Sequence, residues 1–122
     1  MNHDPSPKRK MSEMISEMAG HFISLGKTPE EKHSRLTAAC SAWNMACGSP
    51  EIRRQQLEEY VEGYQRFNPA TYPGDLAGIR SDMESLIGRK LAMFPEDQRQ
   101  IVSAKIVMVG EDYRIEVASA TL

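Results

Sequence analysis

The spacing of apolar residues changes near residue 100, from one in every three or four positions to one in every two. The first spacing is typical of amphipathic helices, and the second of strands with one buried face. The sequence therefore predicts an α+β fold, mainly α, in which a four-helix up-down bundle-like array is followed by a C-terminal β-hairpin. We expect residues 10–122 to form this single domain, with residues 1–9 as a flexible N-terminal tail.

Capping signals place the predicted helices. Thr28 and Ser49 each precede a proline, which is the pattern of an N-cap followed by proline at the first helical position. Gly26 and Gly48 come just before these starts and are expected to end the preceding helices in a left-handed conformation. Asp75 is the expected cap of a fourth helix. The predicted helices span residues 10–26, 29–47, 50–67 and 75–94.

Each predicted helix carries an apolar stripe that can face a core. On the first helix the stripe consists of Met11, Met14, Ile15, Met18, Phe22 and Leu25. On the second helix a narrower seam contains His33, Leu36, Cys40, Trp43 and Cys47. On the third helix the stripe contains Leu57, Tyr60, Val61, Tyr64 and Phe67.

A turn at Gly110-Glu111 sets the register of the predicted hairpin, whose strands span residues 101–109 and 112–120. Glycine supplies the positive φ that a two-residue hairpin loop requires. The register pairs Lys105 with Glu116 on one face and gives an apolar opposite face, on which the expected pairs are Met108 with Tyr113, Ile106 with Ile115, and Ala104 with Val117. Because an isolated hairpin is marginally stable, this face must pack on the chain's own helices, on a second copy or on a partner.

The composition is that of a globular chain that folds without a metal or a disulfide. It has 122 residues, 26% of them charged, and a formal net charge of −2. Cys40 and Cys47 lie two turns apart on one helix and cannot bridge each other, so we expect reduced thiols in the cytoplasm. No secretory segment follows the basic residues near the N-terminus, and no apolar run is long enough to cross a membrane.

The sequence contains no motif that demands an enzymatic reaction. It lacks a glycine-rich phosphate loop, HExxH, GxSxG and clustered CxxC pairs. A zinc site of His33, Cys40 and Cys47 is excluded because heptad spacing separates the ligands by about 10 Å each. A catalytic cysteine would use His21 or His33 as its base, but no electropositive pocket is predicted around it. We therefore predict no catalytic residues, cofactor or metal; an enzyme with a scattered site is the third alternative.

The preferred prediction is a small non-enzymatic protein-interaction or regulatory module. The last strand presents an open edge, to which a strand from the same protein or another can add. The expected partner is therefore the chain itself, as a homo-oligomer and specifically a dimer, or another protein. Eight candidate contact residues combine aromatic anchors with the apolar face of the hairpin: Trp43, Tyr60, Tyr64, Ile106, Met108, Tyr113, Ile115 and Val117.

An accessory nucleic-acid-associated protein is the alternative from another class. Lys8, Arg9 and Lys10 form a basic tail that could contact phosphates. The dipeptides Arg53-Arg54 and Arg89-Lys90 supply further cations. The slightly acidic net charge of the chain argues against a general nucleic-acid binder.

Overall fold

A computed structural model describes residues 9–68 and 73–120. Four helices are followed by a two-stranded antiparallel hairpin, which confirms the predicted α+β class, mainly α. Among the described helices, none has the length and apolar character needed to cross a membrane. Residues 1–8 of the predicted tail lie outside the described residues. The elements are α1 (Met11–Ser24), α2 (Pro29–Ala46), α3 (Pro50–Phe67), α4 (Pro73–Met93), β1 (Gln100–Val109) and β2 (Asp112–Ala120).

The predicted N-caps of α2 and α3 are confirmed. The Thr28 hydroxyl accepts a hydrogen bond from the backbone N–H of Glu31, and the Ser49 hydroxyl accepts one from Ile52. The expected cap of the fourth helix is wrong, because α4 begins at Pro73. The fixed φ of proline suits the first helical position, so Asp75 falls inside the first turn, where its charge favours the helix dipole.

The predicted left-handed ends at Gly26 and Gly48 are also wrong. Among the described glycines only Gly110 has a positive φ, of +66°. Gly26 is instead required by a close approach, because an added Cβ would lie 2.7 Å from the backbone nitrogen of Lys32 in α2. A glycine at this position thus lets the α1–α2 connection lie directly against the first turn of α2.

The central element is α2, which contacts α1, α3, α4 and β1. Trp43 and Leu36 are completely buried, with 0% of their surface exposed. The small side chains on α2 allow its neighbours to approach from several sides; they are Ala39, Ala42 and Ala46, all buried. This arrangement explains why α2 has no single narrow seam facing one neighbour.

Four stripe residues are not in the core, and one of them is Tyr64 near the end of α3, which is 38% exposed. Leu25 is 51% exposed because α1 ends at Ser24, and Ile23 occupies the buried position instead. Phe67, the last residue of α3, is 82% exposed, and His33 in the first turns of α2 is exposed as well. The predictions failed at helix ends, where the helical period continues in the sequence but no neighbouring element lies alongside.

The hairpin register is confirmed. Gly110-Glu111 forms the loop, and Met108, Ile106 and Ala104 lie opposite their predicted partners. The sequence did not predict a bulge at Val102, which is an extra residue between the pairs Ile101–Ser119 and Ser103–Ala118. Such a bulge moves the side chains of the preceding residues to the opposite face of the sheet. The Ile101 side chain therefore points into the core, where it is buried.

The hairpin packs on the chain's own helices, with β1 against α2 and β2 against α1. This decides the alternatives left open for its apolar face. The Asn44 amide of α2 joins β1 like a short neighbouring strand: its Nδ2 donates to the Ile101 carbonyl (3.0 Å), and its Oδ1 accepts from the Ile101 N–H (2.8 Å). These two bonds fix the start of β1 on the helical platform.

The segment before β1 is held by polar groups from the interior. Lys90 is the one fully buried charged side chain among the described residues. Its Nζ donates to the Asp97 carbonyl at 2.6 Å and lies 4.9 Å from the centre of the Trp43 ring. The Trp43 indole N–H donates to the Arg99 carbonyl at 2.8 Å. Buried donors therefore satisfy the carbonyls of a non-regular segment that has no strand or helix partner.

Candidate functional site

The outer edge of β2 is open along most of its length in the described structure, where the sheet has only two strands. In a hairpin closed by a two-residue loop, alternate residues direct their N–H and C=O groups away from the partner strand. On β2 these residues are Tyr113, Ile115 and Val117. Their outward direction is supported at Tyr113, whose N–H donates to the Asp112 carboxylate at 2.8 Å rather than to β1.

A groove of about 700 Å³ runs between this edge and α1. Its α1 wall includes Ser12, Ser16 and Gly20, three small residues at four-residue steps on one helix face. An added Cβ at Gly20 would meet no atom within 4 Å, so the groove has free space beside this wall. These residues are not among the predicted contacts, although their four-residue spacing is visible in the sequence as a stripe of small side chains.

Charged side chains of both signs border the groove, so it is not a purely apolar slot. On the α1 side, Arg9, which precedes the helix, forms an ion pair with Glu17, and Glu13 lies one turn before Glu17 on α1. Asp112 and Arg114 border it on the β2 side. The groove therefore combines backbone donors and acceptors with a mixed-charge rim, the arrangement that suits an extended polypeptide.

A charged row crosses the outer face of the hairpin. The Arg114 Nε donates to the Glu116 Oε2 at 3.0 Å, and the Lys105 Nζ lies 3.5 Å from the other Glu116 oxygen. The Arg114 guanidinium, followed by Lys105, holds the pKa of the Glu116 carboxyl below its usual value. Glu116 therefore remains ionised into mildly acidic conditions, with a cation on either side.

Three of the predicted contact residues of the hairpin, Tyr113, Ile115 and Val117, lie on this edge, whereas Ile106 and Met108 lie on β1. Ile106, Tyr113, Ile115 and Val117 are half-buried and pack against the core. Met108, near the loop, is 45% exposed. The open edge is thus formed by backbone groups of residues whose side chains anchor the sheet to the helices.

Three of the four aromatic residues among the predicted contacts are not part of this edge. Trp43 is buried in the core, so it is a structural residue rather than an exposed anchor. Tyr60 and Tyr64 border a second, smaller groove of about 200 Å³, together with Arg35 and Asp82. Burial, and more weakly Tyr64, raises the pKa of Tyr60. These side chains were predicted together because they are all aromatic, but α2 and α3 present them to different neighbours.

Three of the four cations in the dipeptides Arg53-Arg54 and Arg89-Lys90 bind backbone carbonyls within the chain. Arg53 donates to the carbonyls at the end of α2, and Arg89 donates to the Met18 and Glu17 carbonyls of α1. Lys90 is buried, as described above, whereas Arg54 is exposed. Arg53 therefore caps the end of α2 and Lys90 binds the segment before β1, whereas Arg89 links α4 to the middle of α1.

The basic N-terminal tail is described only from Arg9 onward, and Lys8 lies outside the described residues. The Arg9 guanidinium pairs with Glu17 and lies 5.9 Å from the centre of the Phe94 ring. Lys10 is exposed, and its carbonyl accepts the first hydrogen bonds of α1. The Arg9 side chain therefore contacts both α1 and the start of the segment that follows α4.

The cysteines are poor candidates for nucleophiles. Burial raises the pKa of the Cys40 thiol to about 12, and burial is also the main cause that raises the pKa of Cys47. His21 and His33 are exposed, whereas Cys40 is buried. Among residues 9–68 and 73–120, no group of three or more His, Cys, Asp or Glu side chains could hold a metal ion.

Comparisons with known proteins give no relative: no protein-family model, curated protein or solved structure matches this chain.

Proposed function

We propose that this protein is a small, cytoplasmic, non-enzymatic interaction or regulatory module that binds an extended polypeptide strand along the β2 edge. The observation that carries this proposal is the open edge, whose outward peptide groups border the groove against α1. A strand that enters the groove forms main-chain hydrogen bonds with β2, while its alternate side chains contact α1. The two free cysteines support a reducing compartment.

The rigidity of the hairpin supports this binding mode. Its core face is anchored on α1 and α2, and Asn44 fixes the start of β1. An edge held in place before binding loses little conformational freedom when a strand adds to it. A polypeptide ligand is also favoured over a nucleic acid, because Arg53, Arg89 and Lys90 already bind backbone carbonyls of the chain.

We propose a non-enzymatic function because the thiols of Cys40 and Cys47 are poor nucleophiles. Thiolates, not thiols, attack substrates, and burial disfavours the thiolate at Cys40 and Cys47. The charged side chains at the groove are paired on or near the surface, as Arg9 is with Glu17 and Arg114 with Glu116. Such pairs give a binding rim its polarity, and we assign them that role.

Site-specific photocrosslinking in cells tests this function. The photoreactive residue p-benzoylphenylalanine replaces Glu13, which borders the groove, and in a control protein it replaces Arg66, which is exposed on α3. We expect a discrete polypeptide adduct from the groove position. Ser16→Trp is then added to the protein with the photoreactive residue at position 13. The tryptophan fills the groove and should abolish the adduct, whereas Ser81→Trp on α4 should leave it unchanged.

Two outcomes contradict the proposal. One is the lack of any polypeptide adduct at the groove position, including an adduct between two copies of the chain. The other is an adduct that persists at full yield when Ser16→Trp fills the groove. Circular dichroism of each variant shows that the fold is retained, which we expect because Ser16 and Ser81 are exposed.

A further inference from the structure

We infer that the strand bound at this edge is β2 of a second copy, placed antiparallel by a two-fold axis at Ile115. This inference rests on the proposed function. The axis places Ile115 opposite its own copy and Tyr113 opposite Val117 of the second copy. These residues direct their peptide groups outward, so the donors and acceptors of the two edges meet in hydrogen-bonded pairs, and the Tyr113 N–H exchanges the Asp112 carboxylate for the Val117 carbonyl of the second copy. The result is a continuous four-stranded sheet with an isologous interface.

Charge complementarity on the outer face favours this register. With the axis at Ile115, Arg114 lies opposite Glu116 of the second copy, and the reciprocal pair forms on the other side of the axis. Within each chain, Lys105 on β1 already lies opposite Glu116 on β2. Each Glu116 therefore has a cation on both neighbouring strands, and opposite charges directly across a sheet stabilise the pairing.

The neighbouring registers are disfavoured by the same side chains. A slide of two residues in one direction places Arg114 opposite Arg114 of the second copy. A slide of two residues in the other direction places Glu116 opposite its own copy. A slide of one residue turns the outward peptide groups away from their partners. Like charges directly opposite each other destabilise a strand pair, so the sequence of β2 specifies one register over the adjacent ones.

The groove provides room for the second copy. Both chains bring α1 to the same side of the new sheet, and the wall that each α1 offers contains Ser12, Ser16 and Gly20. Small side chains at four-residue steps allow close approach of another backbone. The groove volume of about 700 Å³ accommodates side chains of an added strand. The open edge and the small-residue wall thus belong to one self-complementary surface.

A charge-reversal mixing experiment tests the register. Arg114→Glu and Glu116→Arg are prepared separately in the full chain, and both residues are exposed or half-buried on the outer face. Each variant alone places two like-charge pairs across the axis, so we expect its homodimer to be about tenfold weaker than that of the unchanged chain. In an equimolar mixture both cross-axis pairs become opposite again. The mixture should therefore form heterodimers with close to the original affinity.

Sedimentation equilibrium gives the dissociation constants, and native mass spectrometry separates heterodimers from homodimers by mass. Because defects within each chain persist in the mixture, recovery of affinity reports the contact between chains. The matched control is Arg66→Glu on α3, which should leave the dissociation constant unchanged. Circular dichroism shows that each variant is folded before it is mixed.

Three results are decisive. An unchanged chain that stays monomeric at every concentration overturns the inference; if a groove-dependent adduct with another protein still forms, the proposed function stands without it. A dimer whose affinity is insensitive to the charge reversals, or is not recovered on mixing, overturns the axis at Ile115. Weak homodimers of both variants, together with recovery of the original affinity in their mixture, support the axis at Ile115.

Discussion

Asn44→Ala tests whether one side chain attaches the hairpin to the helical platform. The Asn44 amide exchanges two hydrogen bonds with Ile101, at 3.0 Å and 2.8 Å. Alanine removes both partners and keeps the helix, because its helix propensity exceeds that of asparagine. The peptide groups of Ile101 are then left without partners, and its side chain is buried.

The expected loss follows from these two bonds. A buried peptide group that loses its partner costs about 1–3 kcal/mol. Asn44 is half-buried, so water enters in part and we take the lower half of that range for each of the two groups, which gives a loss of about 2–4 kcal/mol. This is a large share of the total stability of a small domain, about 5–15 kcal/mol.

Urea unfolding measures this loss. The chain has a single tryptophan, Trp43, whose fluorescence reports on the junction, and far-UV circular dichroism provides a second probe. Thr37→Ala is the control, because Thr37 is exposed on the same helix and should change stability by less than about 0.5 kcal/mol. If Asn44→Ala falls within the same limit, the amide does not attach β1 and the reasoning fails.

Asn44→Asp separates the two hydrogen bonds. The new carboxylate still accepts the Ile101 N–H, but its second oxygen faces the Ile101 carbonyl and repels it. The folded protein then binds a proton at this carboxyl more tightly than the unfolded chain, so its pKa is raised on folding. Stability relative to the unchanged protein should therefore increase as the pH falls from neutral toward about 4, the ordinary pKa of an aspartate. An equal deficit at both pH values contradicts this assignment of the two bonds.

Further predictions concern backbone approach and acid stability. Gly26→Ala should destabilise the protein by about 1–3 kcal/mol, because the new Cβ would lie 2.7 Å from the Lys32 nitrogen. Gly88→Ala within α4 meets no atom within 4 Å and should stabilise the protein by about 0.5–1 kcal/mol. Urea midpoints measure both changes, and a Gly26→Ala variant as stable as the unchanged protein would contradict the close approach. The hydrogen bond from Arg99 lowers the pKa of Asp97, so its contribution is present above the unfolded value near 3.8 and disappears as the pH falls through the folded value. Asp97→Asn should flatten the acid limb of the stability profile, and an unchanged acid limb would show that the pair does not stabilise the fold.

The sequence predicted those features that are encoded by neighbouring residues. The caps at Thr28 and Ser49 depend on a few residues, and the hairpin register follows from alternation around Gly110. The bulge at Val102 could not be predicted from the alternation, because it depends on the packing of Ile101 into the core. Helix-end residues such as Leu25 failed for a similar reason, since burial there depends on where a neighbouring element stops.

The candidate site was predictable only in part. The open strand edge follows from the hairpin itself, but its groove exists because α1 lies beside β2, which no local pattern specifies. The cations were harder still to place. Arg53, Arg89 and Lys90 donate to backbone carbonyls, and every residue carries such an acceptor, so these partners leave no signature in the sequence.

The buried polar contacts and the open edge are connected physically. A strand edge binds another strand well only when it is rigid before binding, since the ordering of a loose edge would weaken the association. Lys90 and Asn44 hold the segment that leads into β1, and β1 in turn orders β2 through the hairpin ladder. We therefore expect Asn44→Ala to weaken strand addition at the distant β2 edge as well as to lower stability. Loss of stability without any loss of binding would show that the edge is ordered independently of this junction.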